Sequence, residues 1–188
     1  METDGINNIV KPLKIYFLGG GVIGEKCHQY IIDHPLLEID MDHPDILLSV
    51  LYDKRVNDSL LSLPKMGCIN FHAAPLPQYR GVASCTWAIL NQETRWEVTA
   101  HYMEPEFDVG DIIGTVVVPI FPSRDTAETL SKRSHKALWM LFLFIVKDLL
   151  NGLELPRRKQ VGEGHYYSWN DFDRVQRSLY NPRKEGGS

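Results

Sequence analysis

Cysteine is scarce. Cys27, Cys68 and Cys85 are the only three in 188 residues. An odd number with no close pair excludes a disulfide framework and any CxxC-type redox or metal motif, and makes a reducing cytoplasm the expected compartment. Positive charge is in short supply too. Twenty Lys and Arg stand against 24 Asp and Glu, a formal net charge of −4, which gives no broad basic field for nucleic acid. The one short basic run, Arg157-Arg158-Lys159, reads as a solvated loop. Long apolar runs are missing as well. The densest, over 137–146, is bounded by Lys136 and Lys147 and is too short to cross a bilayer. The polar, acidic start does not read as a secretory leader. A soluble protein with neither a membrane nor a nucleic-acid partner is therefore expected, with no metal site, internal repeat or interdomain linker.

What is present is an ordinary globular composition, 44% hydrophobic and 23% charged, on a length suited to one domain. That domain is expected over 10–175, with a frayed polar tail over 176–188. Residues 13–18 read as a buried strand that empties into Gly19-Gly20-Gly21-Val22-Ile23-Gly24 and then a helix over 25–32. Gly19, Gly21 and Gly24 carry the spacing of a dinucleotide loop, but the acid expected on a ribose falls early, at Asp40 or Asp42. A glycine-rich turn closing a first βα corner is the preferred reading. Strands are expected over 36–39, 45–52, 96–103 and 115–120, and a short helix over 56–63. A long helix starts at Ser123 or Asp125, with Glu128 completing a capping box, and runs to Leu150 before Asn151-Gly152. Its second half is apolar nearly all round, so it is buried either under neighbouring elements or in a subunit contact, the latter implying a homodimer.

The chemistry is expected in the stretch from Ile69 to Gly81. A strand over 66–71 ends on Asn70 and His72, which share one side at a period of two. Pro75 and Pro77 then stiffen the loop, Arg80-Gly81 closes it, and helical character resumes over 83–90. Downstream, 104–113 is an acidic, turn-rich loop carrying Asp108 and Asp111. Ser84 and Cys85 lack the Gly-flanked elbow of hydrolases and read as packing residues. His101, mid-strand, reads as a core or surface residue and not as a second base.

Asn70-Phe71-His72, the 75–81 loop, Trp87-Ala88-Ile89-Leu90-Asn91-Gln92-Glu93 and Phe107-Asp108-Val109-Gly110-Asp111-Ile112-Ile113 together resemble the catalytic core of the folate-dependent formyltransferase family, most of all its sugar N-formyltransferases. The resemblance runs from about residue 45 to about residue 120. It implies an α/β fold, a Rossmann-like core with a central, mostly parallel sheet flanked by helices. It also implies formyl transfer from 10-formyl-tetrahydrofolate to the amine of a nucleotide-linked amino sugar. Asn70, His72 and Asp108 are then the catalytic residues, Leu51, Tyr52, Arg55, Met103 and Asp108 line the folate pocket, and Tyr79, Arg80, Gly81 and Tyr166 meet the acceptor. Formyl transfer develops an oxyanion, which asks for donors such as the Asn70 amide and a His72 ring N–H, and it needs proton traffic, which Asp108 can serve. The family's Asp-x-Gly turn favours Asp108 over Asp111 for that part. One departure stands out: the family usually carries a further strand and helix before the strand at 45–52, so a shortened first half and a sheet narrower at one edge are expected. A glycinamide ribonucleotide-type formyltransferase and a non-catalytic folate- or nucleotide-binding module are the competing readings. A methionyl-tRNA formyltransferase would add a C-terminal barrel and a basic surface, neither of which is read here.

Overall fold

Residues 11–180 are described by a computed structural model; the polar start and the end of the expected tail, 181–188, lie outside the described residues. Strand β1 (Leu13–Gly19) leads into helix α1 (Gly21–Asp33), followed by β2 (Leu37–Ile39), β3 (Ile46–Val50), α2 (Asp58–Leu61) and β4 (Cys68–His72). Next come β5 (Tyr79–Gly81), α3 (Ser84–Leu90), β6 (Trp96–Tyr102), β7 (Ile112–Val118), α4 (Ala127–Leu150), β8 (His165–Tyr167) and α5 (Trp169–Tyr180). Six strands form one sheet in the order β2-β1-β3-β4-β6-β7, while β5 and β8 pair separately. Pairing is parallel as far as β4 and antiparallel beyond it. This is the Rossmann-like core that was expected, its sheet mixed where a mostly parallel one was anticipated. Its outer strand β2 has three residues and residues 40–45 lead directly from it to β3, so this edge is narrow.

The sheet is built as its burial demands. Every residue of β3 is buried, as suits an inner parallel strand covered on both faces. On one face Ile15, Leu48, Val50, Ile69, Phe71, Val98 and Ala100 form a core with Leu138, Phe142 and Ile145 of α4, and the Phe71 and Phe142 rings stand 5.5 Å apart. Each such fully buried side chain contributes roughly 1.5–3 kcal/mol. Side chains alternate along a strand, so turning Phe71 towards α4 puts its neighbours Asn70 and His72 on the opposite face. The outward side of α4 keeps Met140 and Phe144 exposed, so its apolar surface is buried under neighbouring elements on one side only. Among the described residues no helix is long and apolar enough to cross a membrane.

Local chemistry differs from expectation at the starts of α1 and β7, the cap of α4 and the end of α5. Helix α1 begins at Gly21 and not at residue 25, because Gly19 and Gly24 let it start directly off the strand: a Cβ on Gly24 would lie 2.8 Å from the Gly19 carbonyl carbon. Asp40 pairs with Lys14 at 2.5 Å and accepts the amides of Asp42 and His43, so its carboxylate is committed to the corner. Thr126, not Asp125, caps α4 in a reciprocal box with Thr129; Asp125 is taken up by the Phe121 amide and Arg133. Strand β7 starts at Ile112 and not at residue 115, since it pairs with β6 from His101 outwards. At the other end of the chain α5 runs through Tyr180, past the domain boundary expected at 175.

Candidate active site

A cavity of about 430 Å³ lies over the sheet face that carries Asn70 and His72. Asn70 of β4 stands directly opposite His101 of β6 in the antiparallel ladder. Above them the loop 103–111, which joins β6 to β7, lowers Asp108 onto the same spot. Asp108 Oδ1 is 3.4 Å from Asn70 Nδ2, 3.4 Å from His101 Nε2 and 3.8 Å from His72 Nδ1. Its other oxygen accepts the Gly81 amide at 2.8 Å. Asp108 and His72 are 8% exposed and His101 2%, so the carboxylate is nearly dry.

Burial by itself pushes the Asp108 carboxyl up. Nearby His72, the hydrogen bond from His101 and the Gly81 amide outweigh it and hold the group well below the usual carboxylate range. A depressed folded pKa means that Asp108 contributes stability fully present above its unfolded pKa of about 3.9 and lost as pH falls towards the folded value. Urea unfolding followed from about pH 5 to about pH 2 should therefore show a shallower acid loss of stability in Asp108→Asn than in the parent. Parallel curves for the two proteins would rule this out.

The ring protons follow from the carbonyls that can only accept. His72 Nε2 donates to the Tyr79 carbonyl at 2.6 Å, leaving Nδ1 towards Asp108. His101 Nδ1 donates to the Tyr102 carbonyl at 2.8 Å, leaving Nε2 between Asn70 and Asp108. At that nitrogen a neutral ring accepts the Asn70 N–H, and a protonated ring donates to the carboxylate. The cluster can thus hold a proton at either of two imidazole nitrogens facing one buried anion.

The turn that places Asp108 is constrained. Asp108 has φ 58°, a left-handed conformation unusual for a residue with a side chain. A Cβ on Gly110 would lie 1.9 Å from the Tyr102 carbonyl oxygen, so only glycine fits two residues on. Gln160 Nε2 donates to the carbonyls of Asp108 at 2.9 Å and Gly110 at 2.8 Å.

Of the residues singled out from the sequence, Asn70, His72, Asp108, Leu51, Tyr52, Arg55, Met103, Gly81 and Tyr166 all line the cavity. Tyr79 and Arg80 do not. The Tyr79 ring packs between Trp96 and Tyr167, at 5.0 and 5.4 Å, and its hydroxyl donates to Glu93; only its backbone carbonyl serves the site. Arg80 reaches Glu106 at 3.4 Å instead. The cause is long-range: β5 is drawn into parallel pairing with β8, a contact that local patterns did not announce. Asp111 turns to Lys159 at 3.0 Å. Cys85 is buried, which pushes its thiol up and leaves it a packing residue. His101 was missed as a site residue, although its place in an alternating strand beside Asn70-x-His72 was the available signal. Exposed Phe107, Tyr166 and Trp169 form an aromatic rim, the first two rings stacked at 6.4 Å.

Residues 34–143 match the family model described as formyl transferase. The methionyl-tRNA formyltransferase of Geobacter sulfurreducens is 38% identical over 117 residues, covering 62% of this chain and 36% of its relative. The chain thus spans little more than a third of that relative's length. Among solved structures, an N-formyltransferase from Helicobacter canadensis in complex with folinic acid and dTDP-3-aminofucose superposes with a TM-score of 0.71 at 20% identity, over 85% of this chain and 72% of that one. A formyltransferase from Anoxybacillus kamchatkensis, in complex with UDP-4,6-dideoxy-4-formamido-L-AltNAc and tetrahydrofolate, gives a TM-score of 0.71 at 22% identity, over 92% of this chain and 93% of that one. At these identities the structural likeness speaks for the fold.

Proposed function

Since the chain belongs to the formyl transferase family, we propose that it moves a formyl group from 10-formyl-tetrahydrofolate to the amine of a nucleotide-linked amino sugar. The observation that carries this reading is the convergence of Asn70, His72 and Asp108, from a strand and a separate loop, on one wall of a single cavity. In this reading the acceptor nitrogen attacks the formyl carbon directly, a C–N bond forms, and the carbonyl oxygen becomes an oxyanion. Asn70 and, when the ring carries its second proton, His72 Nδ1 supply the donors for that oxygen. The acceptor nitrogen gives up a proton to the Asp108 cluster, the bond from carbon to the folate nitrogen breaks, and that nitrogen is protonated as it leaves. Protons and charge balance without an acyl-enzyme. We assign His101 Nε2 as the second place where the cluster can hold the proton in transit.

In this reading Leu51, Tyr52, Arg55 and Met103, which line the cavity, hold the folate, and the rim of Phe107, Tyr166 and Trp169 offers flat apolar faces to the ring of a nucleotide base. The relatives called methionyl-tRNA formyltransferases favour a second acceptor, an aminoacyl-tRNA, against which the net charge of −4 counts. A panel of amino-sugar nucleotides and methionyl-tRNA incubated with the protein and 10-formyl-tetrahydrofolate decides between them by mass spectrometry. Formylation of an amino-sugar nucleotide is the expected result. Formylation of methionyl-tRNA alone would replace the acceptor, and folate binding with no product from any acceptor would make the protein a binding module.

A further inference from the structure

Residues 155–160 run along the outside of the loop 103–111, beyond the segment that the family model matches. Arg157 lays its guanidinium 3.5 Å over the Tyr102 ring, Arg158 exchanges backbone hydrogen bonds of 2.8 and 3.0 Å with Ile112, and Lys159 meets Asp111. These contacts tie the two ends of the loop, so the basic run, exposed as expected, is at the same time an anchored strap. Gln160 alone reaches the middle. Its amide has two hydrogens, and both are used: one on the Asp108 carbonyl at 2.9 Å and one on the Gly110 carbonyl at 2.8 Å. They span the turn in which Asp108 is held at φ 58°.

We propose that Gln160 is a positioning residue that locks the Asp108–Gly110 turn, so that the Asp108 carboxylate stays against His72, His101 and the Gly81 amide. Its consequence for turnover rests on the reading of Asp108 as the proton-handling group above; its consequence for the carboxylate does not. Without the two bonds the turn loses both side-chain restraints on its carbonyls, and the backbone at Asp108 relaxes towards ordinary φ, carrying the carboxylate off its partners. The groups that face it are Asn70 and His72 from β4, His101 from β6 and the Gly81 amide from β5. On its own loop Glu106 is paired with Arg80 and Asp111 with Lys159, while Glu104 and Arg55, whose guanidinium donates to the Pro105 carbonyl at 3.3 Å, share the cavity. Leaving its close partners removes what favours the ionised form, so the carboxyl titrates at higher pH.

The test follows the Asp108 side-chain carboxyl carbon by NMR in isotope-labelled protein, its resonance identified by its loss in Asp108→Asn. In the parent it stays in the ionised position to the acid limit of folding. In Gln160→Met, which keeps the length and loses the donors, its midpoint should rise by about one pH unit or more. Gln160→Asn, which can reach one carbonyl at most, should shift less, and provides the same reading if the Met variant does not fold. Lys159→Ala, which removes an exposed ion pair of the same strap, should leave the carboxyl where it is. An unmoved carboxyl in folded Gln160 variants, or an equal shift in Lys159→Ala, would overturn the assignment. With an acceptor found, kcat in Gln160→Met should fall roughly ten- to a hundredfold, with little change in KM for 10-formyl-tetrahydrofolate. Should the parent transfer no formyl group to any acceptor, the proposed function fails while the carboxyl titration still judges Gln160.

Discussion

Replacing Asp108 by Asn is expected to lower kcat for formyl transfer by roughly a hundred- to a thousandfold while changing the dissociation constant of tetrahydrofolate by no more than about fivefold. The substitution is close to isosteric, and an Asn Oδ1 can still accept the Gly81 amide that Asp108 now holds at 2.8 Å. What it removes is the charge. Two imidazoles face the other carboxylate oxygen, Oδ1, at 3.4 and 3.8 Å, and the amide nitrogen that takes its place neither favours a proton on them nor accepts one from an attacking amine. The loop and the cavity wall, with the residues proposed to hold the folate, stay in place, so the loss falls on turnover. Steady-state kinetics with the acceptor that the panel identifies, beside calorimetric titration of tetrahydrofolate, separate the two quantities. A variant as active as its parent would reduce Asp108 to a turn residue and remove the proton-handling part of the mechanism.

How much of this was legible beforehand depended on how far apart in the chain the cooperating residues lie. Asn70 and His72 were readable because alternation within one strand fixes which side chains share a face. The corner at Leu51, Tyr52 and Arg55, singled out from family resemblance, lies on the cavity wall. His101 was not readable, because its position beside Asn70 depends on the register of two strands separated by β5, α3 and the segments joining them, and register is set by pairing and not by composition. Tyr79 and Arg80 were assigned to the acceptor from the family resemblance. The pairing of β5 with β8 turned one into the aromatic core and the other onto Glu106. Thr126 displaced Asp125 as the cap of α4 for a local reason: the competing carboxylate had stronger partners in the Phe121 amide and Arg133. The strap at 157–160 lay furthest from view, since nothing in a short basic run announces which carbonyls a neighbouring glutamine will reach.

Gly110→Ala is expected to destabilise the protein by about 3 kcal/mol or more and to disorganise the site at the same time. Glycine here is needed for space, not for its backbone freedom: φ at Gly110 is not in the positive range, yet an added Cβ would lie 1.9 Å from the Tyr102 carbonyl oxygen and 2.8 Å from its carbon. Both obstacles are backbone, so no rotamer change relieves them. Tyr102 is itself held from three sides, by its amide on the Asp111 carbonyl, by the His101 ring on its own carbonyl and by Arg157 over its ring. The loop must therefore move instead of the strand, and moving it costs the Gln160 bonds to Asp108 and Gly110 and the seat of the Asp108 carboxylate. Gly114→Ala is the matched comparison. Its Cβ would meet nothing nearer than Leu141 Cδ1 at 3.5 Å, an ordinary contact, and in a strand the change should be neutral or stabilising by about 0.5–1 kcal/mol. Urea unfolding of the two variants beside the parent makes the distinction. Equal stability for all three would mean that the approach of loop 103–111 to β6 is not as close as the geometry requires, and with it the placement of Asp108 over Asn70 and His101 would fall.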